Sequence, residues 1–154
     1  MTYDEPPPLL SPAVLPAVRT DADLRRAWHT LVGAEVFADR RLWLLFLGPG
    51  GRPAGPLLTL GDLPDGPWGL PVEDLVSLCR DILDGPGGGT DADKSVAMLL
   101  TRPGRGPWHV GDRAWGRYLV TAAQHVGGGC VWPVHRAHDQ GFGPVAGDET
   151  AACR

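Results

Sequence analysis

Apolar side chains recur along the chain at helical spacing in three segments. Over residues 21–32 they return at i, i+4 and i+7, which puts them on one face of a helix that begins with acidic residues. Pro71 favours the first turn of a second helix, which is predicted to run to residue 83. A third helix is predicted over 112–126, where a glycine triplet ends it. Three amphipathic helices are therefore expected.

Between the helices lie apolar runs of strand length. The run 42–47 is continuous, as in a strand covered on both faces, and with 57–60 it predicts a β-hairpin across a GPGGRP turn. Further strands are predicted over 95–100, 130–135 and 141–145. The order α-β-β-α-β-α-β-β predicts an α/β protein in which helices flank a mixed β-sheet. The expected core side chains are Trp43, Leu45, Leu47, Val96, Met98 and Leu100 from strands and Leu75, Leu78, Ile82 and Tyr118 from helices.

The chain of 154 residues contains 16 prolines and 22 glycines. Their positions mark the limits of the predicted domain. Residues 1–18 are predicted to be a Pro-rich N-terminal extension, 19–147 a single domain and 148–154 a C-terminal tail. The N-terminus lacks a basic segment followed by a continuous apolar one, so no signal peptide is expected. The longest apolar run is too short to cross a bilayer, and no membrane partner is expected.

The net charge and the cysteine content limit the binding partners and the cellular compartment that we expect. The net charge is −4, so no basic field attracts nucleic acid, and no nucleic-acid partner is expected. Cys79, Cys130 and Cys153 are odd in number and show no CxxC spacing. They are interpreted as thiols, two of them buried and one in the tail, in a reducing compartment. A cytoplasmic protein is therefore expected.

The residues that could carry chemistry lie mainly in the second half of the chain. After the hairpin LWLLFLGPGGRPAGPLLTLG come a strand end, SVAMLLTRPGRG, a helix opening, HVGDRAW, and a last strand region, GCVWPVHRAHDQGF. In this order, from Arg41 to Val145, the chain resembles the RadC-like branch of the JAB/MPN (JAMM) family. The resemblance rests on element order and on two anchors, Pro-Gly at 103–104 and Asp-Arg-Ala-Trp at 112–115. It implies a layered sandwich like that of the cytidine deaminases.

The resemblance also implies a particular metal site. Active members of that family hold a catalytic zinc with two His and one Asp, and a Glu serves as general base. In this chain the His positions carry Leu100 and Arg102, the Glu position falls on Arg40 or Arg41, and the Asp is retained as Asp112. Leucine cannot bind a metal, and a permanently charged guanidinium repels one. The resemblance therefore implies a metal-free pseudoenzyme that holds no cofactor.

Asp112 is the one catalytic candidate that this comparison leaves. An acid in the first turn of a helix is also stabilised by the helix dipole, which accounts for Asp112 without catalysis. Arg102 is expected to pair with Asp112 as a tie across the lost zinc site.

A displaced metal site is the alternative. His135 and His138 lie at i, i+3 near a strand end, and His109 and Asp112 lie at the opening of the preceding helix. Together these four residues could hold zinc, which would make the chain a metal-dependent hydrolase of the isopeptidase type. In the simpler interpretation, the histidines occupy polar loops and strand ends.

The loop that begins at Arg102 is the candidate binding surface. It carries Arg105, Trp108 and His109 where the resembling family lines a catalytic groove. Tryptophan and arginine dominate binding hot spots, so these four residues are predicted to bind a protein partner or a second copy of the chain in a homodimer. In a competing interpretation, Trp108 folds inward as a lid over the emptied groove. The favoured function is a protein-interaction or scaffold module rather than an enzyme.

Overall fold

A computed structural model describes the chain over residues 2–4, 14–32, 37–84, 94–104, 106–126, 130–139 and 141–145. Within these residues three helices flank one open, mixed sheet of six strands. The α/β class predicted from the sequence is thereby confirmed. The elements are β1 (Thr2–Asp4), α1 (Asp21–Val32), β2 (Arg41–Leu47), β3 (Pro53–Gly61), α2 (Val72–Leu83), β4 (Ser95–Thr101), α3 (Val110–Val126), β5 (His135–His138) and β6 (Gly141–Pro144).

The strands lie in the order β1-β3-β2-β4-β5-β6. The hairpin β2–β3 is antiparallel, and β2 also pairs antiparallel with β4. Strand β5 is parallel to β4, and the antiparallel strands β1 and β6 form the two edges. Strands β2 and β4 therefore occupy the centre of the sheet, which explains why their sequences are almost continuously apolar.

Alternate side chains of the central strands enter two apolar cores, one on each face of the sheet. Leu42 and Leu44 of β2 pack with residues of α2 and α3, whereas Leu45 and Leu47 pack with residues of α1. Coverage of this strand on both faces was predicted and is confirmed. Trp43 differs from the prediction because it is only partly buried, and its indole N–H donates to Thr101 Oγ1 at 2.9 Å.

Two strands differ from those predicted. Strand β1 lies in the stretch that the sequence sets apart as an extension, and it pairs with β3 through Tyr3 and Leu60. The strand predicted over 130–135 begins only at His135. Pro133 lacks the N–H that a strand ladder requires, so regular pairing with β4 starts beyond it.

The N-terminal segment before α1 is fastened to the turn of the β2–β3 hairpin. The backbone N–H of Val18 donates to Gly51 O at 2.7 Å, and Val18 is buried. Gly51 has a φ of +76°, and a Cβ there would lie 1.9 Å from Val18 O. This close approach requires glycine, because any side chain would push the segment away.

The cysteines differ from the prediction of three thiols. Cys79 is free and buried in the core, and burial raises its pKa to about 12. Cys130, in contrast, is disulfide-bonded, so the expectation of a thiol there is wrong. Cys153 lies outside the described residues. In the described part of the chain, no helix has the length and apolar character needed to cross a membrane.

Candidate functional site

The register between β2 and β4 brings two arginines to one end of the sheet. Arg41, at the start of β2, pairs with Thr101 at the end of β4. Arg40 and Arg102 are the next residues outward on the two strands, so antiparallel pairing makes them neighbours. Arg102 also continues the pairing with β5, since its backbone N–H donates to Ala137 O at 3.1 Å. Two positive charges therefore lie side by side at this end.

Asp112, in the first turn of α3, contacts both Arg40 and Arg102. Its carboxylate accepts hydrogen bonds from Arg102 Nε at 2.9 Å and from Arg40 Nη2 at 3.2 Å. It also accepts the backbone N–H of His109 at 2.8 Å, as an acid three residues into a helix does when it caps the N-terminus. The Asp112 side chain is fully buried, and the side chains of Arg102 and Arg40 are 5% and 12% exposed. The expected pairing of Arg102 with Asp112 is confirmed, and the three residues are termed the Asp112 cluster.

Hydrogen bonding keeps Asp112 ionised inside the protein. Burial by itself raises the pKa of this carboxyl group. The His109 N–H and the guanidinium groups of Arg102 and Arg40 outweigh that effect, so the pKa of Asp112 lies below its ordinary value. A buried charge with this many donors fixes the relative positions of the elements that supply them.

The same arginines hold two loops against the end of the sheet. Arg102 Nη2 donates to Pro107 O at 3.0 Å, and Arg40 Nη1 donates to Pro64 O at 3.2 Å. The second loop also reaches α3, because Trp115 Nε1 donates to Pro64 O at 2.9 Å. Gly111 permits this approach, since a Cβ there would lie 2.0 Å from the carbonyl oxygen of residue 65. The cluster therefore organises the loops that surround it.

Residues 103–104 and 106–109, here termed the Trp108 loop, carry an indole that lies over two guanidinium groups. The ring centroid of Trp108 is 5.0 Å from Arg102 Cζ and 4.4 Å from Arg136 Cζ, which is cation–π distance. The imidazole of His138 lies 4.5 Å from the same ring, between centroids. Trp108 is half-buried by these contacts. The indole thus links the end of β4 to β5.

Arg136 is a buried charge that sequence reasoning missed. It is 9% exposed, and within the described residues its Nε has no hydrogen-bond partner. Burial is the main cause that lowers the pKa of its guanidinium; nearby Asp112 opposes this, and Arg113 and Arg102 add to it. Residues 136 and 138 alternate along β5, so both face the Trp108 side of the sheet. This alternation could have indicated that Arg136 and His138 share a face of the sheet. The predicted strand ended at residue 135, so the alternation was not applied to them.

The four residues of the alternative metal site do not come together. His138 contacts the ring of Trp108, and His109 is exposed and contributes its backbone N–H to the Asp112 cluster. His135 is buried on the α1 side of the sheet, where its ring stacks on Phe142 with 5.4 Å between centroids. Across the described ranges, no group of three His, Cys, Asp or Glu side chains could hold a metal ion.

The predicted binding residues occupy different environments. Arg102 is buried in the Asp112 cluster, Trp108 is half-buried, and His109 is exposed. Arg105 lies outside the described residues. The next residue, Val110, is 70% exposed at the first position of α3, and the sequence pattern did not single it out.

An apolar cavity of about 240 Å³ lies between α2, α3 and the β2–β3 hairpin. Leu70, Leu75 and Trp115 line it, and Asp74 is the charged residue in its lining. The hydroxyl of Tyr118, which also lines it, donates to a backbone carbonyl at 3.0 Å. The cavity therefore offers few groups to orient a ligand, in contrast to the charged end of the sheet.

The chain matches no family model, no curated protein and no solved structure.

Proposed function

We propose that the chain is a metal-free, non-catalytic relative of the RadC-like JAB/MPN proteins that functions by binding a protein partner or a second copy of itself. The Asp112 cluster is the observation that carries this proposal. The resemblance assigns Arg102 to a histidine ligand, Asp112 to the aspartate ligand, and Arg40 or Arg41 to the glutamate base. Arg102, Asp112 and Arg40 meet in one buried cluster, although they are separated by up to 72 positions in the chain. This convergence supports the assignment of positions.

The chemistry of the cluster supports a non-catalytic role. A guanidinium remains protonated at every physiological pH, so it neither accepts a proton from water nor binds a cation. The Asp112 carboxylate receives both arginines and the His109 N–H. A hydrolase that used Asp112 as a metal ligand would have to break these ion pairs and leave the buried Arg102 guanidinium without its carboxylate.

The Trp108 loop and the start of α3 form the proposed binding surface. An exposed Val110 follows the exposed His109 and the half-buried Trp108, so an apolar patch lies beside the buried arginines. The loop is held in place, because the backbone N–H of Gly104 donates to Asp139 Oδ2 at 2.8 Å. A preorganised loop that presents aromatic and apolar groups favours protein association, since little ordering entropy is lost on binding.

Association can be tested by comparing two tryptophan variants. Size-exclusion chromatography with light scattering and capture of partners from lysate are measured for wild type, Trp108→Ala and Trp68→Ala. Trp68 is the matched control, since it is 63% exposed in a different loop. We expect Trp108→Ala to lose association with only a small fall in melting temperature, while Trp68→Ala keeps it.

The opposite pattern would overturn the proposal. Association that survives in Trp108→Ala, together with a lowered melting temperature, would identify Trp108 as a lid over a structural cluster. Equal loss of association in both tryptophan variants would show that general surface apolarity, and not the Trp108 loop, drives contact.

A further inference from the structure

The buried charges at the Trp108 end of the sheet do not balance. Three arginines are largely buried there: Arg40, Arg102 and Arg136. Asp112 is the buried carboxylate that faces them, and it already accepts Arg102 and Arg40. A second carboxylate, Asp65, bonds Arg40 but is fully exposed. The excess positive charge is therefore concentrated on Arg136.

The surroundings of Arg136 do not neutralise it. The charged side chains that influence it are Asp112, Arg113 and Arg102, of which two are positive. Its guanidinium packs against the face of Trp108, and its Nε has no hydrogen-bond partner in the described part of the chain. Stacking on an aromatic face compensates a guanidinium only in part and leaves its in-plane N–H groups directed elsewhere.

We infer that Arg136, beneath Trp108 and flanked by Arg102 and Arg113, is a binding site for an oxyanion, a carboxylate or phosphate group carried by the ligand. The planar fork of a guanidinium matches two oxygens of either group. Trp108 excludes water from one face of Arg136, which strengthens a charge-assisted hydrogen bond to the bound anion. The inference rests on the proposed function, because it names the chemistry that the same surface recognises.

Thermal stability provides the test, since a ligand that binds only the folded state raises the melting temperature. The probes are sodium phosphate and sodium acetate, with sodium chloride at equal ionic strength as reference. At about 100 times its dissociation constant, the bound oxyanion should raise the wild-type melting temperature by roughly 5–10 °C above the chloride reference. A larger effect of phosphate than of acetate identifies a phosphoryl ligand, and an equal or larger effect of acetate identifies a carboxylate.

Arg136→Met separates an anion site from a structural arginine. Because the variant removes a buried, uncompensated charge, its melting temperature without oxyanion should equal or exceed that of wild type. Its response to phosphate and acetate should fall to the chloride level. Arg117→Met is the matched control, since Arg117 is exposed on α3, and it should retain the full response.

Three results would overturn the inference. They are a wild-type response no larger than that of chloride, a response that Arg136→Met retains, and a response that Arg117→Met also loses. If Arg136→Met fails to fold, Arg136→Lys is used, because it keeps the charge without the fork. Its response should then be at most half that of wild type, and an undiminished response would equally overturn the inference.

The two proposals fail separately. Loss of association in Trp108→Ala without any oxyanion response would leave the binding module standing and remove the anion site. An oxyanion response that depends on Arg136, with association that does not depend on Trp108, would remove the protein-binding role and leave the anion site.

Discussion

The buried arginines at one end of the sheet differ in whether the chain supplies a buried carboxylate to pair with them. Arg102 and Arg40 share the fully buried Asp112. Arg136 is also buried, but it packs against the indole of Trp108 and its Nε lacks a partner among the described residues. A compensated buried charge positions structure, whereas an uncompensated one lowers stability and is retained where function requires it. The comparison assigns the Asp112 cluster to architecture and Arg136 to binding.

Removal of the carboxylate should have the largest effect on stability. Asp112→Ala leaves two buried guanidinium groups without their buried counter-ion, and the expected loss is about 3–5 kcal/mol of the free energy of unfolding. Asp65→Ala is the matched control, because Asp65 bonds the same Arg40 but is fully exposed. Its expected loss is small, because an ion pair with a fully exposed partner contributes little to stability. Denaturant titration measures both, and equal, small losses would contradict the structural role of the cluster.

An apolar side chain gives a reference for that loss. Leu45 is 1% exposed in the core beneath α1, away from the charged residues. Leu45→Ala should lower the free energy of unfolding by about 2–5 kcal/mol. Val14→Ala is the control, since Val14 is 67% exposed. A loss below about 1 kcal/mol for Leu45→Ala would place the hairpin outside the core and remove the frame that holds Arg40 next to Arg102.

The stability that the Asp112 carboxylate contributes should depend on pH. The pKa of Asp112 is lowered in the folded protein, so its contribution to stability is present above the ordinary carboxyl pKa and is lost as pH falls through the lowered value. The stability difference between wild type and Asp112→Ala should be constant from about pH 7 to 5 and shrink below about pH 4. A difference that is unchanged at acid pH would show that Asp112 contributes through packing alone.

Trp108 should have the smallest effect. Trp108→Leu keeps an apolar side chain but removes the aromatic face from Arg102 and Arg136, so the expected loss is about 0.5–2 kcal/mol. A loss of more than about 3 kcal/mol is typical of a core aromatic residue. That result would favour the lid over the binding surface and would weaken the contrast between the two groups of arginines.

Periodicity in the sequence predicts most of the fold. The apolar positions of residues 21–32 coincide with α1, and the apolar run at 42–47 coincides with a strand buried on both faces. Local sequence patterns did not predict the strands whose formation depends on pairing with residues that are distant in the chain. Strand β1 forms only because an edge of β3 is available, and β5 begins late because of Pro133.

The candidate site was predictable only in part. The pairing of Arg102 with Asp112 followed from a resemblance, and the structure shows it. Arg40 joins the cluster because of the register between β2 and β4. Both strands are almost continuously apolar and no tight turn connects them, so their register could not be predicted from the sequence. Arg136 was overlooked for another reason. A charged residue after a predicted strand suggests a solvated loop, and only the tertiary packing of Trp108 buries it.

Elemental analysis for zinc tests whether an ion cluster occupies the position where the resemblance expects a metal. Protein purified without chelator is examined by elemental analysis, and its melting temperature is measured with added zinc chloride. We expect well below about 0.1 zinc per chain and no rise in melting temperature, since Arg102 and Arg40 occupy the carboxylate of Asp112. About one zinc per chain, lost on Asp112→Ala, would contradict it.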